Sequence, residues 1–120
     1  MDWELDKKRP LCPQICEQLC VMIAKGQFTS GERLMSVRDL AVDAGVTPNT
    51  VQKSFEQLEQ KGVIYSIRGS GWYVCENTEV AREVLSELVR SKTASYLNDM
   101  RSLGITKDEV LRQIEEVSNE

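Results

Sequence analysis

Residues 36–62 read SVRDLAVDAGVTPNTVQKSFEQLEQKG, and the spacing within this stretch decides the fold. Ser36, followed three residues later by Asp39, resembles a capping box with Asp in place of the usual Glu, and so marks a helix start. Val37, Leu40, Ala41 and Ala44 then share one face of that helix, and Gly45 ends it. Only Val46 and Thr47 intervene before Pro48, whose missing N–H is not needed in a first helical turn, opens the next helix. Val51, Phe55 and Leu58 form its apolar side, and Gly62 closes it. Two short helices joined by a tight glycine turn make a helix-turn-helix.

The flanks extend the pattern. Upstream, Pro13 suits a first turn, and Ile15, Leu19, Met22 and Ile23 recur at helical spacing as far as Gly26. Trp3 and Leu5 belong to a short strand or arm covering that helix. Downstream, Val63-Ile64-Tyr65-Ser66-Ile67 and Trp72-Tyr73-Val74 read as two strands around a four-residue tip, Arg68, Gly69, Ser70 and Gly71. Three helices followed by a hairpin predict a mainly α fold with a small β-hairpin wing, a winged helix-turn-helix, over residues 1–75.

Residues 76–120 are different in kind. From Thr78 to Leu103 the spacing is helical without Pro or Gly, Gly104 breaks it, and Thr106 with Glu109 forms a second capping box. Val110, Leu111, Ile114 and Val117 mark a last amphipathic helix. So short a segment rarely stands alone. Its two helices need a partner surface, and a second copy of the chain is the economical one, which makes 76–120 a C-terminal α-helical dimerisation tail.

Composition narrows the function. The chain has 120 residues, 41% hydrophobic and 28% charged, as in one globular domain with an appendage. No apolar run approaches a membrane span of about 18 residues. The acidic start, Met1-Asp2-Trp3-Glu4, is unlike a secretory signal, so the expected location is the cytoplasm, with no membrane partner.

Histidine is absent, which removes the commonest general base and metal ligand and excludes Ser/His and Cys/His hydrolases. The expectation is no enzyme, no cofactor and no metal site. Cys12, Cys16 and Cys20 lie four apart on one helical stripe, and Cys75 is distant. No C-x-x-C pair occurs. A pair four apart could share a metal or sense oxidants, but in a reducing compartment small buried apolar side chains are the simpler reading.

The net charge of −4 is uneven. Residues 1–75 carry nine basic and nine acidic side chains, whereas residues 76–120 carry six against ten. A neutral first part is compatible with nucleic acid, and the polar side of the second motif helix suits it. Asn49, Gln52, Lys53 and Glu56 face outward when Val51, Phe55 and Leu58 face in. Asn and Gln can make two hydrogen bonds to adenine in the major groove, and Lys reaches guanine or phosphate. Glu56, one turn on, is repelled by DNA. A solvated helix face would show the same stripe, and the wing tip shifts the balance. There Arg68 stands beside glycines whose backbone can approach a phosphate or the minor groove, although a turn alone also favours them. Arg38 supplies a third cation, and Thr47 can cap its helix and contact a phosphate.

The run from Gly26 to Ala41, the Val46-Thr-Pro-Asn-Thr-Val-Gln-Lys-Ser-Phe-Glu-Gln-Leu-Glu59 stretch, Gly62-Val-Ile, Arg68-Gly-Ser-Gly-Trp-Tyr-Val and the opening Pro13-Gln-Ile-Cys-Glu-Gln-Leu together resemble the DNA-binding domain of the GntR family over about residues 3–75. The Thr47-Pro-Asn-Thr-Val run and the short tail resemble its YtrA-type subfamily, in which two helices replace a large ligand-binding domain and serve mainly dimerisation. By that resemblance Arg38, Thr47, Asn49, Gln52 and Gly69 fall at DNA contacts. Lys53 and Arg68 are added from the helix projection and the wing charge, and Thr50 is counted with them as a candidate DNA-binding residue. Met35 stands where the family usually has Pro. Pro48 replaces the Arg many relatives carry, which removes an Arg–guanine contact and alters operator preference.

The expectation is a homodimeric transcriptional regulator, a repressor, whose two recognition helices enter successive major grooves of a palindromic double-stranded DNA operator, roughly 34 Å apart. The alternative is a protein–protein interaction module on a winged-helix scaffold without DNA binding, favoured by the acidic tail. A small-molecule effector has two candidate places, a cleft between the tail helices of two protomers or the surroundings of Trp3 and Trp72.

Overall fold

Prolines, glycines and capping side chains divide this chain into seven elements. The structure, a computed structural model, describes all residues, Met1–Glu120. Helix α1 (Leu11–Ala24) follows Pro10, with Pro13 in its first turn. Helix α2 (Val37–Ala44) begins at Ser36, whose hydroxyl accepts from the Asp39 N–H at 3.1 Å, and it stops at Gly45. Helix α3 (Pro48–Gln60) begins at Thr47, whose hydroxyl accepts from the Thr50 N–H at 3.3 Å. Strands β1 (Ile64–Ile67) and β2 (Gly71–Val74) form an antiparallel hairpin, and helices α4 (Glu79–Ser102) and α5 (Lys107–Ser118) complete the chain. The architecture is the expected one, mostly helical with a two-stranded wing.

One detail differs from the sequence reading, and of the strand or arm expected before α1 the structure has the arm. Gly71 pairs with Ile67, so the wing tip has three residues, Arg68, Gly69 and Ser70, rather than four. The Ser70 N–H donates to the Ile67 carbonyl at 2.9 Å, and Gly69 has φ +79°, as a type II turn requires at its third position. Residues 1–9 form no strand. They are an arm held by side chains of α1: the Gln14 amide accepts from the Asp6 N–H at 2.8 Å and donates to the Asp6 carbonyl at 2.9 Å, while Gln18 makes the same pair of bonds with Glu4.

Two compact units emerge, Met1–Leu85 and Ser86–Glu120. In the first, Ile15, Leu19 and Ile23 of α1, Leu40 of α2, Val51, Phe55 and Leu58 of α3, and Val63, Ile64 and Val74 of the wing are fully buried. Each such side chain stabilises the fold by roughly 1.5–3 kcal/mol relative to exposure. The unit runs past the wing because Ala81 is buried and Val80, Val84 and Leu85 pack on the same core. In the second unit, Thr106 caps α5 by accepting from the Glu109 N–H at 3.3 Å and donating to its carboxylate at 3.1 Å. Val110 is its buried side chain.

Candidate nucleic-acid interface

Helix α3 is fixed from behind and from both ends. Its inner side chains Val51, Ser54, Phe55 and Leu58 are buried, as their spacing predicts. Behind it, the Cys16 thiol of α1 donates to the Ser54 carbonyl at 3.3 Å, and the Ser54 hydroxyl donates to the Thr50 carbonyl at 2.7 Å. At its N-terminus the Thr47 and Thr50 hydroxyls lie 2.9 Å apart. Toward its C-terminus the Glu59 carboxylate accepts from the Ser66 N–H at 3.0 Å and its hydroxyl at 2.8 Å, tying the helix to β1.

What remains outside is the face the sequence singled out. Asn49, Lys53 and Glu56 are exposed and Gln52 is half-buried. The Gln52 amide nitrogen donates to the Glu56 carboxylate at 3.1 Å. Arg38 is exposed on α2, and Arg68 and Gly69 are exposed at the wing tip. The ion pairs are Met1–Asp43, Arg9–Asp6 and Arg82–Glu79, so Arg38, Lys53 and Arg68 carry charge with no carboxylate neutralising it. Three unpaired cations on α2, α3 and the wing, within residues 1–75, which carry no net charge, give that part of the chain a local attraction for phosphate.

The wing is braced by a residue the sequence reading passed over. Arg33 bridges Tyr73 across the free edge of β2, where the Leu34 N–H donates to the Trp72 carbonyl and the Val74 N–H to the Glu32 carbonyl, both at 2.8 Å. Its guanidinium donates to the Ser70 carbonyl and lies over Gly71, where a side-chain carbon would come within 3.2 Å of Nε. Gly71 is therefore needed for this close approach. Nothing in the local periodicity marks residues 32–34 as a sheet partner. Tyr65 stacks on Tyr73, with ring centroids 5.7 Å apart, and so stiffens the hairpin.

The four cysteines are free thiols, and Cys16, Cys20 and Cys75 are buried. Burial, with Cys12 adding to it, pushes the Cys16 thiol up to about 12. Burial also raises Cys20 and Cys75 above the ordinary thiol value, so these side chains behave as small apolar groups. Asp43, at the end of α2, accepts from the Trp3 indole N–H at 2.9 Å and from the Met1 ammonium at 3.1 Å. The indole bond first, and the ammonium second, hold its carboxyl below the usual range.

A helix-turn-helix with a braced β-wing and unpaired cations defines a winged-helix DNA-binding protein. The chain belongs to the gntR family of bacterial regulatory proteins, whose sequence profile matches residues 11–74. It is similar to the HTH-type transcriptional regulator YhcF of Bacillus subtilis (strain 168), with 31% identity over 114 residues, 95% of this chain and 94% of that one. The HTH-type transcriptional repressor YtrA of the same organism is 31% identical over 110 residues, 91% of this chain and 85% of that one. A GntR family transcriptional regulator from Listeria monocytogenes superposes with a TM-score of 0.80 at 28% identity, over 93% of this chain and 98% of that one. The chain is thus a YtrA-type transcriptional regulator and not an enzyme. No helix in it is long and apolar enough to cross a membrane.

Proposed function

We propose that this regulator acts as a homodimeric repressor on a palindromic operator. In this reading Asn49, Gln52 and Lys53 of α3 meet base edges, while Arg38, Thr47, Thr50, Arg68 and Gly69 hold the phosphate backbone and fix the docking. The observation that carries it is the exposed outer face of α3 flanked by cations without acidic partners. Repression is supported by the likeness to YtrA, which is named a repressor.

Residues 76–120 join the two copies. Within the second unit Val89, Leu103, Leu111, Ile114 and Val117 are 48–70% exposed, more apolar surface than a small helical pair leaves open to water. A cleft of about 600 Å³ between α4 and α5, lined by Tyr96, Met100, Ile105, Val110, Ile114 and Val117, offers a seat for the partner's side chains. Dimerisation also makes the second half-site contact intramolecular, which compensates for a modest charge per protomer.

The test combines sedimentation of the purified chain with a fluorescence anisotropy titration on palindromic duplexes from its own promoter region. A dimer that binds one such duplex and loses affinity steeply with salt is the expected result. A monomer, or a dimer that binds no duplex at low salt, overturns the proposal, and a stable complex with another protein would then favour the interaction-module reading.

A further inference from the structure

The outer face of α3 holds one polar contact between its own side chains, and that contact has a direction. Gln52 and Glu56 lie one turn apart, with Gln52 Nε2 3.1 Å from a Glu56 carboxylate oxygen. An ionised carboxylate only accepts, so the nitrogen end of the Gln52 amide must face it. One amide proton is thereby used. The other proton, together with the carbonyl oxygen, has no partner in the protein.

We propose that Glu56 is a positioning residue that fixes which edge of the Gln52 amide is offered to DNA, and so sets a preference for adenine at the base pair Gln52 meets. This rests on the reading of α3 as the recognition helix. The free edge of the held amide is one acceptor beside one donor. Adenine presents the complement in the major groove, the N6 amino group and N7, whereas guanine presents two acceptors. An untethered glutamine can rotate its amide by half a turn and accommodate guanine with its N–H groups. Tethering removes that freedom before binding, so less conformational entropy is lost on the matching base and the mismatched base meets an oxygen–oxygen contact. The same carboxylate repels nearby phosphates. Glu56 therefore lowers affinity for DNA in general and raises discrimination at one step.

The experiment is a selection of the full chain on randomised duplexes, followed by competition titrations with duplexes that differ at single positions. Gln52→Ala locates the position by abolishing its preference. There the unmodified chain should favour adenine by about tenfold, the scale of one bidentate contact. Glu56→Ala should cut that preference to about threefold or less while affinity for the best duplex stays level or rises. Glu56→Asp should keep the preference, because Gln at i and Asp at i+4 still hydrogen-bond on a helix. An unchanged base profile in Glu56→Ala, or a preference other than adenine at the Gln52 position, overturns the proposal while leaving DNA recognition by α3 intact. Failure of the unmodified chain to select any duplex instead overturns the DNA-binding reading on which it rests.

Discussion

Phe55 meets Trp72 edge-on, with ring centroids 5.3 Å apart and planes at 63°, so the inner face of α3 and the second strand of the wing share one aromatic joint. Phe55 is fully buried and Trp72 partly so. Such a pair contributes about 0.5–1.5 kcal/mol beyond the area it buries. Trp72→Ala should lower stability by about 2 kcal/mol, less than the 3–5 of a fully buried aromatic. Trp72→Phe should cost about 1 kcal/mol or less. Urea denaturation of both variants measures the difference, and the alanine variant should also bind its operator more weakly, since the wing loses its reference to α3.

Gly71 and Arg33 should be coupled. Gly71→Ala places a methyl group against the guanidinium at a φ of +148°, a backbone conformation that suits glycine. The expected cost is about 1–2 kcal/mol. Arg33→Ala removes the crowding but not the backbone strain, so the double variant should be less destabilised than the two single losses added together. A double-mutant cycle by thermal or urea unfolding reads this directly, and strict additivity would contradict the close approach.

Lys53 and Arg68 should each carry part of the salt dependence. Removing one phosphate contact flattens the slope of log K against log salt by about 1. Lys53→Ala and Arg68→Ala are both expected to weaken binding and reduce that slope, and Lys53→Ala should in addition relax base choice if its ammonium reaches guanine. Anisotropy titrations at three or more salt concentrations check both variants. No change in either would remove them from the interface.

The buried thiol of Cys16 makes stability fall in alkali. Its ionisation is raised from an ordinary value of about 9 to about 12 by burial first and by Cys12 second. The unfolded chain releases this proton from about pH 9, while the folded chain keeps it to about 12. Between those values the folded state binds more protons, so unfolding becomes easier as pH rises, and the full contribution is present below pH 9. Cys20 and Cys75 act in the same direction. Urea midpoints should therefore be flat from pH 7 to 8.5 and decline beyond, with a shallower decline in Cys16→Ala.

The helix-turn-helix and its wing were legible in the sequence because each rests on a local signal. Ser36, Thr47 and Thr106 cap the helices their spacing marks, and the two runs either side of Arg68-Gly69-Ser70 pair as an antiparallel hairpin. The outward placement of Asn49 and Lys53 followed from the burial of Val51, Phe55 and Leu58 on a 3.6-residue period. What stayed hidden depends on side chains distant in sequence. Glu32–Leu34 is too short to show a period, yet it lines β2, and Arg33 gains its role only when the chain returns beside Gly71. Gln14 and Gln18 carry no local signal of their role, which is to replace a strand partner for the backbone of the arm. Gln52 and Glu56 are an i, i+4 pair on the outward face, so their bond lies within the reach of helical spacing, although spacing alone does not show which side chains meet.

The docking of the arm has a practical consequence for optical work on this regulator. The chain contains two tryptophans, and they report on separate places. The indole of Trp3 is tied to Asp43 at the end of α2, whereas Trp72 sits in β2 against Phe55. Observed one at a time, Trp72 in a Trp3→Phe background and Trp3 in a Trp72→Phe background, they form a ready two-channel fluorophore set, one channel following the amino-terminal strap and the other the wing, with no dye attached.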